Sequence, residues 1–122
     1  MKVYLAGAYS SKQWLEEVVA PVLRSRGVTV TSSWHCRDRD GGPFEQLSPQ
    51  NMLEAAQQDR LDLQTAEYIF AFTGVPSQHG GLWWEVGYAD AFGLSVVIIG
   101  APANVFCVFP GYRHYASWEE LK

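Results

Sequence analysis

The chain has 122 residues, of which 48% are hydrophobic and 18% charged, a size that supports one hydrophobic core. We therefore predict one domain over residues 1–122. The formal charge is −4, whereas proteins that bind nucleic-acid polymers concentrate Lys and Arg, so no nucleic-acid polymer is expected as a partner, and a free nucleotide is not excluded. Aromatic residues make up 14% of the chain and must fill a core, face another subunit or line a pocket for a flat ligand.

No apolar stretch is long enough to cross a bilayer, and the start of the chain does not resemble a signal peptide. We predict a soluble, cytoplasmic protein with no membrane partner. Cys36 and Cys107 lack the C-x-x-C spacing of a disulfide framework or zinc motif, so both are interpreted as structural.

The first third of the chain alternates strand and helix patterns. A short apolar strand is predicted at Lys2–Ala6, followed by a helix over about residues 12–27 that Pro21 should kink or split. Residues 28–34 are rich in β-branched side chains and predict a second strand. Residues 35–47 are polar, with two glycines and a proline, and predict a surface loop long enough to form a lid.

The remainder continues this alternation. Ser48 and Pro49 mark the start of a second helix, with serine as the cap and proline in the first turn, which runs to about Ala66. Further strands are predicted at residues 68–73, at 95–100 and, shorter, at 112–115, and further helices at residues 80–93 and from Ser117.

This order predicts an α/β fold, a single-domain parallel sheet with helices on both faces, flavodoxin- or Rossmann-like. Ligands of such sheets bind beyond the carboxyl ends of the strands. The site is therefore predicted at residues 7–11, 35–43, 74–81 and 101–109, which makes the turn residues Gly7 and Gly81 candidate substrate-binding positions.

A carboxylate interrupts the apolar stripe of the second predicted helix. Asp59 falls between Ala56 and Leu63 on this stripe, whereas Asp62 is predicted to face solvent. A buried carboxylate must be hydrogen-bonded, shifted in pKa or directed into a polar cavity. Asp59 is therefore either half of a structural ion pair or a functional acid.

A second carboxylate has a similar position in the third predicted helix. Glu85 lies beside the apolar residues Leu82 and Ala89, near the start of that helix. It is either a partner of the helix N-terminus or a catalytic group. Two acids on helices that flank one sheet edge suit glycosidic chemistry, in which a carboxylate attacks or stabilises a cationic sugar carbon.

Three segments carry a resemblance to a known family. The sequence KVYLAGAY at the start, D-x-x-x-L-x-x-A-E at residues 59–67 and GGLWWEVGYADAFG at residues 80–93 resemble the nucleoside 2-deoxyribosyltransferases, a family that includes 2′-deoxynucleoside 5′-monophosphate N-hydrolases. The resemblance covers nearly the whole chain and is weakest across residues 35–47.

The resemblance implies roles for five residues. Glu85 matches the nucleophile that forms a covalent intermediate with C1′ of deoxyribose, and Asp59 matches the aspartate that orients it and assists proton transfer to the base. Tyr4 matches a tyrosine that hydrogen-bonds the nucleophile. Asn104 matches an asparagine lent to the neighbouring subunit's site, and Phe106 would contact the base. The resemblance also implies a small-molecule partner, a deoxynucleoside or deoxynucleotide, and a homodimer or larger homo-oligomer with shared sites. It implies no metal or organic cofactor.

Two positions depart from the family pattern. His79 stands where the transferases have an acidic residue and the hydrolases a serine, and it is either a substrate-binding residue or a solvent-facing loop histidine. The phosphate-binding Gly-Ser-x-Arg run of the hydrolases reads Gly7-Ala8-Tyr9-Ser10. Transfer of a deoxyribosyl group, hydrolysis of a deoxynucleoside 5′-monophosphate and non-catalytic nucleotide binding therefore remain alternatives.

Tryptophans provide the last candidates. Trp34 follows the second predicted strand and either stacks on a base or fills the core. Trp83 and Trp84 begin a helix on which at least one of them cannot face the core, and burial against a second subunit would accommodate it.

Overall fold

A computed structural model describes residues 1–36, 48–78 and 80–122 of the chain. The strands are β1 (Lys2–Ala6), β2 (Thr29–Val30), β3 (Tyr68–Phe72), β4 (Ser95–Ile99) and β5 (Arg113–Tyr115). The α-helices are α1 (Lys12–Trp14), α2 (Ala20–Ser25), α3 (Pro49–Thr65), α4 (Gly81–Phe92) and α5 (Trp118–Leu121). Within these described ranges, no helix is both long and apolar enough to cross a membrane.

The five strands form one parallel sheet in the order β2-β1-β3-β4-β5. The predicted α/β class and parallel sheet are therefore confirmed. The strand order reverses direction between β1 and β3, and in open sheets of this kind the crevice for a ligand lies at that point.

The register assigns the helices to opposite faces of the sheet. Tyr4 of β1 pairs with Ile69 of β3, so both side chains project to one face, and the alternation along β3 directs Phe72 to the other. The rings of Trp14 and Trp118 both contact the Phe72 ring, which places α1 and α5 on that second face. Helices α3 and α4 contact each other and β1.

Strand β2 is much shorter than the predicted strand over residues 28–34. Its last backbone bond to β1 joins the Thr31 N–H to the Val3 carbonyl. Beyond it, the two backbone groups of Leu5 are taken by side chains: the Ser32 hydroxyl accepts from the Leu5 N–H at 3.0 Å, and the Trp34 indole donates to the Leu5 carbonyl at 2.7 Å. These side-chain hydrogen bonds replace the backbone hydrogen bonds between β1 and β2, so the chain leaves the sheet after Thr31.

Pro21 does divide its helix, as expected. A π-helical segment, Leu15–Val19, separates α1 from α2, and the Ala20 N–H donates to the Leu15 carbonyl five residues back. A proline ring clashes with the carbonyl four residues before it, and a widened turn relieves that clash.

The two longer helices begin and end close to the predicted residues. The Ser48 hydroxyl accepts from the Asn51 N–H at 3.1 Å, which confirms the cap before Pro49. Helix α4 lies between Gly80 and Gly93, both in left-handed conformations (φ +76° and +93°) that glycine adopts without steric cost.

A matched pair of glycine substitutions tests the junction between β4 and β5. Gly100 has φ +121°, and a Cβ there would lie 2.5 Å from the Thr73 hydroxyl oxygen. Gly111 has φ +93°, but a Cβ there would have no described atom within 4 Å. Gly100→Ala should lower the free energy of unfolding by about 3 kcal/mol or more, and Gly111→Ala by about 1 kcal/mol. Urea unfolding measures both, and equal losses would contradict the steric argument.

Candidate active site

Two residues separated by 81 positions in the sequence meet at the centre of the site. The Tyr4 hydroxyl on β1 donates a hydrogen bond to the Glu85 carboxylate on α4. Tyr4 is fully buried and Glu85 is partly buried. Helix α4 directs Leu82, Val86 and Ala89 into the core, and Glu85 lies beside this apolar face. The glutamate is therefore held in a fixed orientation in an environment that disfavours its charge.

The electrostatics of the site bring a third residue into it. Burial raises the pKa of Glu85 to about 8, with the hydrogen bond from Tyr4 opposing this rise and the negative charge of Asp59 adding to it. Burial, and next the charge of Glu85, raise the pKa of the Tyr4 phenol well above its usual value. Asp59 is partly buried on α3. The phenol stays protonated as a donor, and the two carboxylates repel each other.

The sequence predicted that the Asp62 side chain faces solvent, but in the structure it is buried. It is 9% exposed, and its carboxylate accepts hydrogen bonds from the Ser33 N–H, the Ser33 hydroxyl and the Gln58 amide. The sequence contained the relevant signal, because position 62 is three residues after Asp59 and four before the buried Ala66, which caps the end of the helix. Conversely, Ala56 is exposed, so the buried stripe of α3 is shorter than predicted.

Trp34, for which the sequence left stacking on a base and filling the core as alternatives, is buried, and so is His35 beside it. Trp34 is 8% exposed and packs in the core, where it contacts the His35 ring edge to face. Little of the Trp34 ring surface is left for stacking on a base, so we do not include it in the proposed substrate site. His35 Nε2 lies 2.7 Å from the Ser32 hydroxyl and Nδ1 lies 2.6 Å from the Glu16 carboxylate.

Asn104 and Phe106 lie at the opposite end of the chain from Tyr4, around a 3-10 turn, Val105–Val108. The Asn104 side chain accepts from the Phe106 N–H at 3.0 Å and so caps this turn. Phe106 is 57% exposed and stacks on Phe109. These contacts are local, so the structure does not join Asn104 or Phe106 to the Tyr4–Glu85 pair of their own chain.

The glycine positions and His79 complete the predicted site residues. Gly7 follows β1, and a Cβ there would lie 3.4 Å from the Leu15 side chain. Because glycine has no Cβ, the backbone at this position can lie close to Leu15. Gly81 is the first residue of α4, four residues before Glu85. His79 lies outside the described residues.

A row of aromatic rings covers the outer side of α4. Trp84, Tyr88 and Phe92 stack in sequence, with ring centroids 5.3 and 5.8 Å apart, and Trp84 is 55% exposed. Trp83 instead packs against the core. Beside this row, Tyr88 accepts a hydrogen bond from Gln64 at 2.7 Å in a groove of about 410 Å³ between α3 and α4.

The chemistry available to this arrangement follows from its three groups. A carboxylate held by a phenol donor can act as a nucleophile once ionised, and a second carboxylate at short range can exchange protons with a leaving group. Raised pKa values of this kind concentrate at functional sites.

Solved structures with the same fold include two enzymes. One is a 2-deoxyribosyltransferase from Bacillus psychrosaccharolyticus, with a TM-score of 0.77 and 22% identity, covering 99% of this chain and 90% of that one. The other is a Clostridium botulinum CMP N-glycosidase, with a TM-score of 0.62 and 18% identity, covering 99% of this chain and 93% of that one. No protein-family model and no curated protein matches the chain. The resemblance identified from the sequence is thus confirmed at the level of the fold.

Proposed function

We propose, from the fold that this chain shares with a 2-deoxyribosyltransferase and a CMP N-glycosidase, that it cleaves or transfers the N-glycosidic bond of 2′-deoxynucleosides. The observation that carries the proposal is the hydrogen bond from Tyr4 to Glu85, with the charge of Asp59 close enough to raise the Glu85 pKa. These are the residues that the family resemblance implies, and two of them, Asp59 and Glu85, were singled out independently by their positions on apolar helix faces.

In the first step, a carboxylate oxygen of Glu85 bonds to C1′ of the sugar. The N-glycosidic bond breaks, its electron pair stays on the base nitrogen, and the base takes a proton from water or, where Asp59 is protonated in the complex, from Asp59. The Tyr4 hydroxyl donates to the carboxylate and so favours the ionised form that attacks.

In the second step, a new base or a water molecule attacks C1′, and the Glu85 carboxylate leaves as it was before the reaction. The proton lost by the attacking group replaces the one given to the first base. Each step inverts the configuration at C1′, so that the transferred sugar retains its original configuration.

A second candidate is hydrolysis of the N-glycosidic bond of a 2′-deoxynucleoside 5′-monophosphate. It is supported by the similarity to a structure named as a CMP N-glycosidase, since CMP is a 5′-monophosphate. The transferase structure has the higher TM-score, and this chain lacks the Gly-Ser-x-Arg run at residues 7–10, so we give precedence to the nucleoside. Non-catalytic nucleotide binding is the third alternative.

The deciding experiment offers the protein a panel of deoxynucleosides, their 5′-monophosphates and CMP, each with and without a free acceptor base, and follows base release by chromatography. Exchange of the base on a deoxynucleoside supports transfer. Base release from the monophosphates alone, without an acceptor, supports the second candidate. Binding without base release from any compound would overturn both catalytic proposals.

We further propose that the active protein is a homodimer or larger homo-oligomer in which Asn104 and Phe106 serve the site of a neighbouring subunit. The exposed rings of Trp84 and Phe106 support this, because they are large apolar surfaces without a partner in the described part of their own chain beyond neighbouring rings.

Mixing two impaired variants tests the shared site. Glu85→Gln removes the nucleophile, and Asn104→Asp keeps the oxygen that accepts from the Phe106 N–H but removes the amide donor. Each variant alone should lose at least about tenfold in base release. Refolded together, half of the dimers are mixed and contain one intact site, so about a quarter of the wild-type activity should return. Mixtures no more active than the separate variants would contradict site sharing.

A further inference from the structure

A cluster of three potential metal ligands lies outside the site described above. Glu16 belongs to the π-helical segment Leu15–Val19, and His35 and Cys36 lie in the turn after Thr31. One ligand atom from each of the three side chains lies within 4.8 Å of the other two. The geometry points to a binding site for one divalent cation of the zinc class, held by a carboxylate oxygen, an imidazole nitrogen and a thiolate.

The imidazole is oriented as a ligand requires. The His35 side chain has no exposed surface, and its Nε2 lies 2.7 Å from the Ser32 hydroxyl oxygen, which itself accepts from the Leu5 N–H. A ligating histidine is usually fixed by a hydrogen bond from its other ring nitrogen, and with the ion bound Nε2–H would donate that bond to the Ser32 hydroxyl oxygen. Nδ1, which donates to the Glu16 carboxylate at 2.6 Å in this structure, is then the nitrogen that would bind the ion.

The carboxylate is also oriented by a neighbour. Arg24 holds one oxygen of Glu16 at 3.2 Å, while the other oxygen lies 2.6 Å from His35 Nδ1. Two ligand atoms on a tetrahedral zinc ion lie about 3.3 Å apart, so the ion enters if the carboxylate retreats by roughly 0.7 Å. Glu16 is 30% exposed and has room for this movement.

Cys36 supplies the third ligand and the route of entry. Its side chain is exposed, and its sulfur lies 3.2 Å from the Ser33 carbonyl oxygen. On binding, the thiol releases one proton to solvent, the imidazole proton moves from Nδ1 to Nε2 and leaves the ring neutral, and water takes the fourth position. Mixed nitrogen, oxygen and sulfur donors suit zinc rather than magnesium or calcium.

Such an ion would tie the π-helical segment to the turn after β2 on the side of the sheet that carries α1. Trp14, two residues before Glu16, packs on Phe72, whose side chain projects away from the Tyr4 face. The site is therefore separate from Glu85, and its test needs no nucleoside, so its failure would leave the proposed function untouched.

Cobalt titration of the untagged, chelator-treated full chain tests the site, since Co²⁺ substitutes for Zn²⁺ and reports a thiolate ligand through a charge-transfer band. We expect one Co²⁺ per chain, a dissociation constant of about 1 μM or tighter, displacement by Zn²⁺ and a higher Tm with the metal. Cys36→Ser should abolish the band, and Glu16→Gln should weaken binding at least about tenfold.

The controls are matched by residue type. Cys107→Ala removes the chain's other cysteine, which is buried, and Glu17→Gln removes an exposed carboxylate next to Glu16 in sequence. Both variants should keep the band and the affinity. Lack of a thiolate band in the wild-type chain, or equal losses in Glu16→Gln and Glu17→Gln, would overturn the inference even if one cysteine variant failed to fold.

Discussion

Glu85→Gln is expected to reduce base release by about 10³-fold or more, because the amide cannot form the bond to C1′ on which both proposed steps depend. The amide keeps the size of the side chain and can still accept from the Tyr4 hydroxyl, so the loss reports chemistry rather than packing. The measurement is the single-turnover rate of base release. Asp90→Asn is the matched control, because Asp90 is an exposed carboxylate on the same helix, and it should stay near the wild-type rate.

Stability provides the second control for this variant. Burial raises the pKa of Glu85 from 4.5 to about 8, so the folded state binds the proton more tightly than the unfolded state does. The contribution of this protonation to the free energy of unfolding is fully present below pH 4.5 and is lost as the pH rises to about 8. Glu85→Gln should therefore be more stable than the wild-type chain at pH 9, as measured by urea unfolding. Undiminished base release by a folded Glu85→Gln variant would refute the assignment.

The second large effect is on the pH dependence of catalysis. If the free enzyme reacts only with Glu85 ionised, kcat/KM should rise about tenfold per pH unit and level off near the Glu85 pKa of about 8. At pH 6 the value should then be about 100-fold below the plateau. A profile flat from pH 6 to 9 would contradict the role of Glu85 as the ionised nucleophile.

Two substitutions should move this profile in opposite directions. The hydrogen bond from Tyr4 lowers the Glu85 pKa, so Tyr4→Phe should shift the midpoint to higher pH. The charge of Asp59 raises that pKa, so Asp59→Asn should shift the midpoint to lower pH. Both variants should also lower the plateau rate, and for this reason the midpoint is the quantity to compare. A purely structural role for either residue would leave the midpoint unchanged.

Local patterns predicted most of the fold. Continuous apolar runs indicated β1, β3 and β4, and Ser48 with Pro49 marked the start of α3. The glycines at 80 and 93 marked the ends of α4. These signals succeed because a capping bond or a left-handed glycine depends on only a few neighbouring residues.

Other features depended on residues distant in the sequence. The second strand ends early because Ser32 and Trp34 side chains take the backbone groups of Leu5, about thirty residues away. Asp62 is buried against the segment that follows β2, where Ser33 donates two hydrogen bonds to it. Neither partner can be identified from helix periodicity, which assigns a face to a residue and not its contacts.

For the site, the sequence by itself determined that Asp59 and Glu85 lie on helix faces where carboxylates are unexpected, and the family resemblance added Tyr4. Only the tertiary structure decided that Tyr4 and Glu85 are hydrogen-bonded and that the glutamate has a pKa of about 8. The reason is physical: a side chain's face follows from local periodicity, whereas its pKa depends on burial and on charges that the sheet brings together across 81 residues.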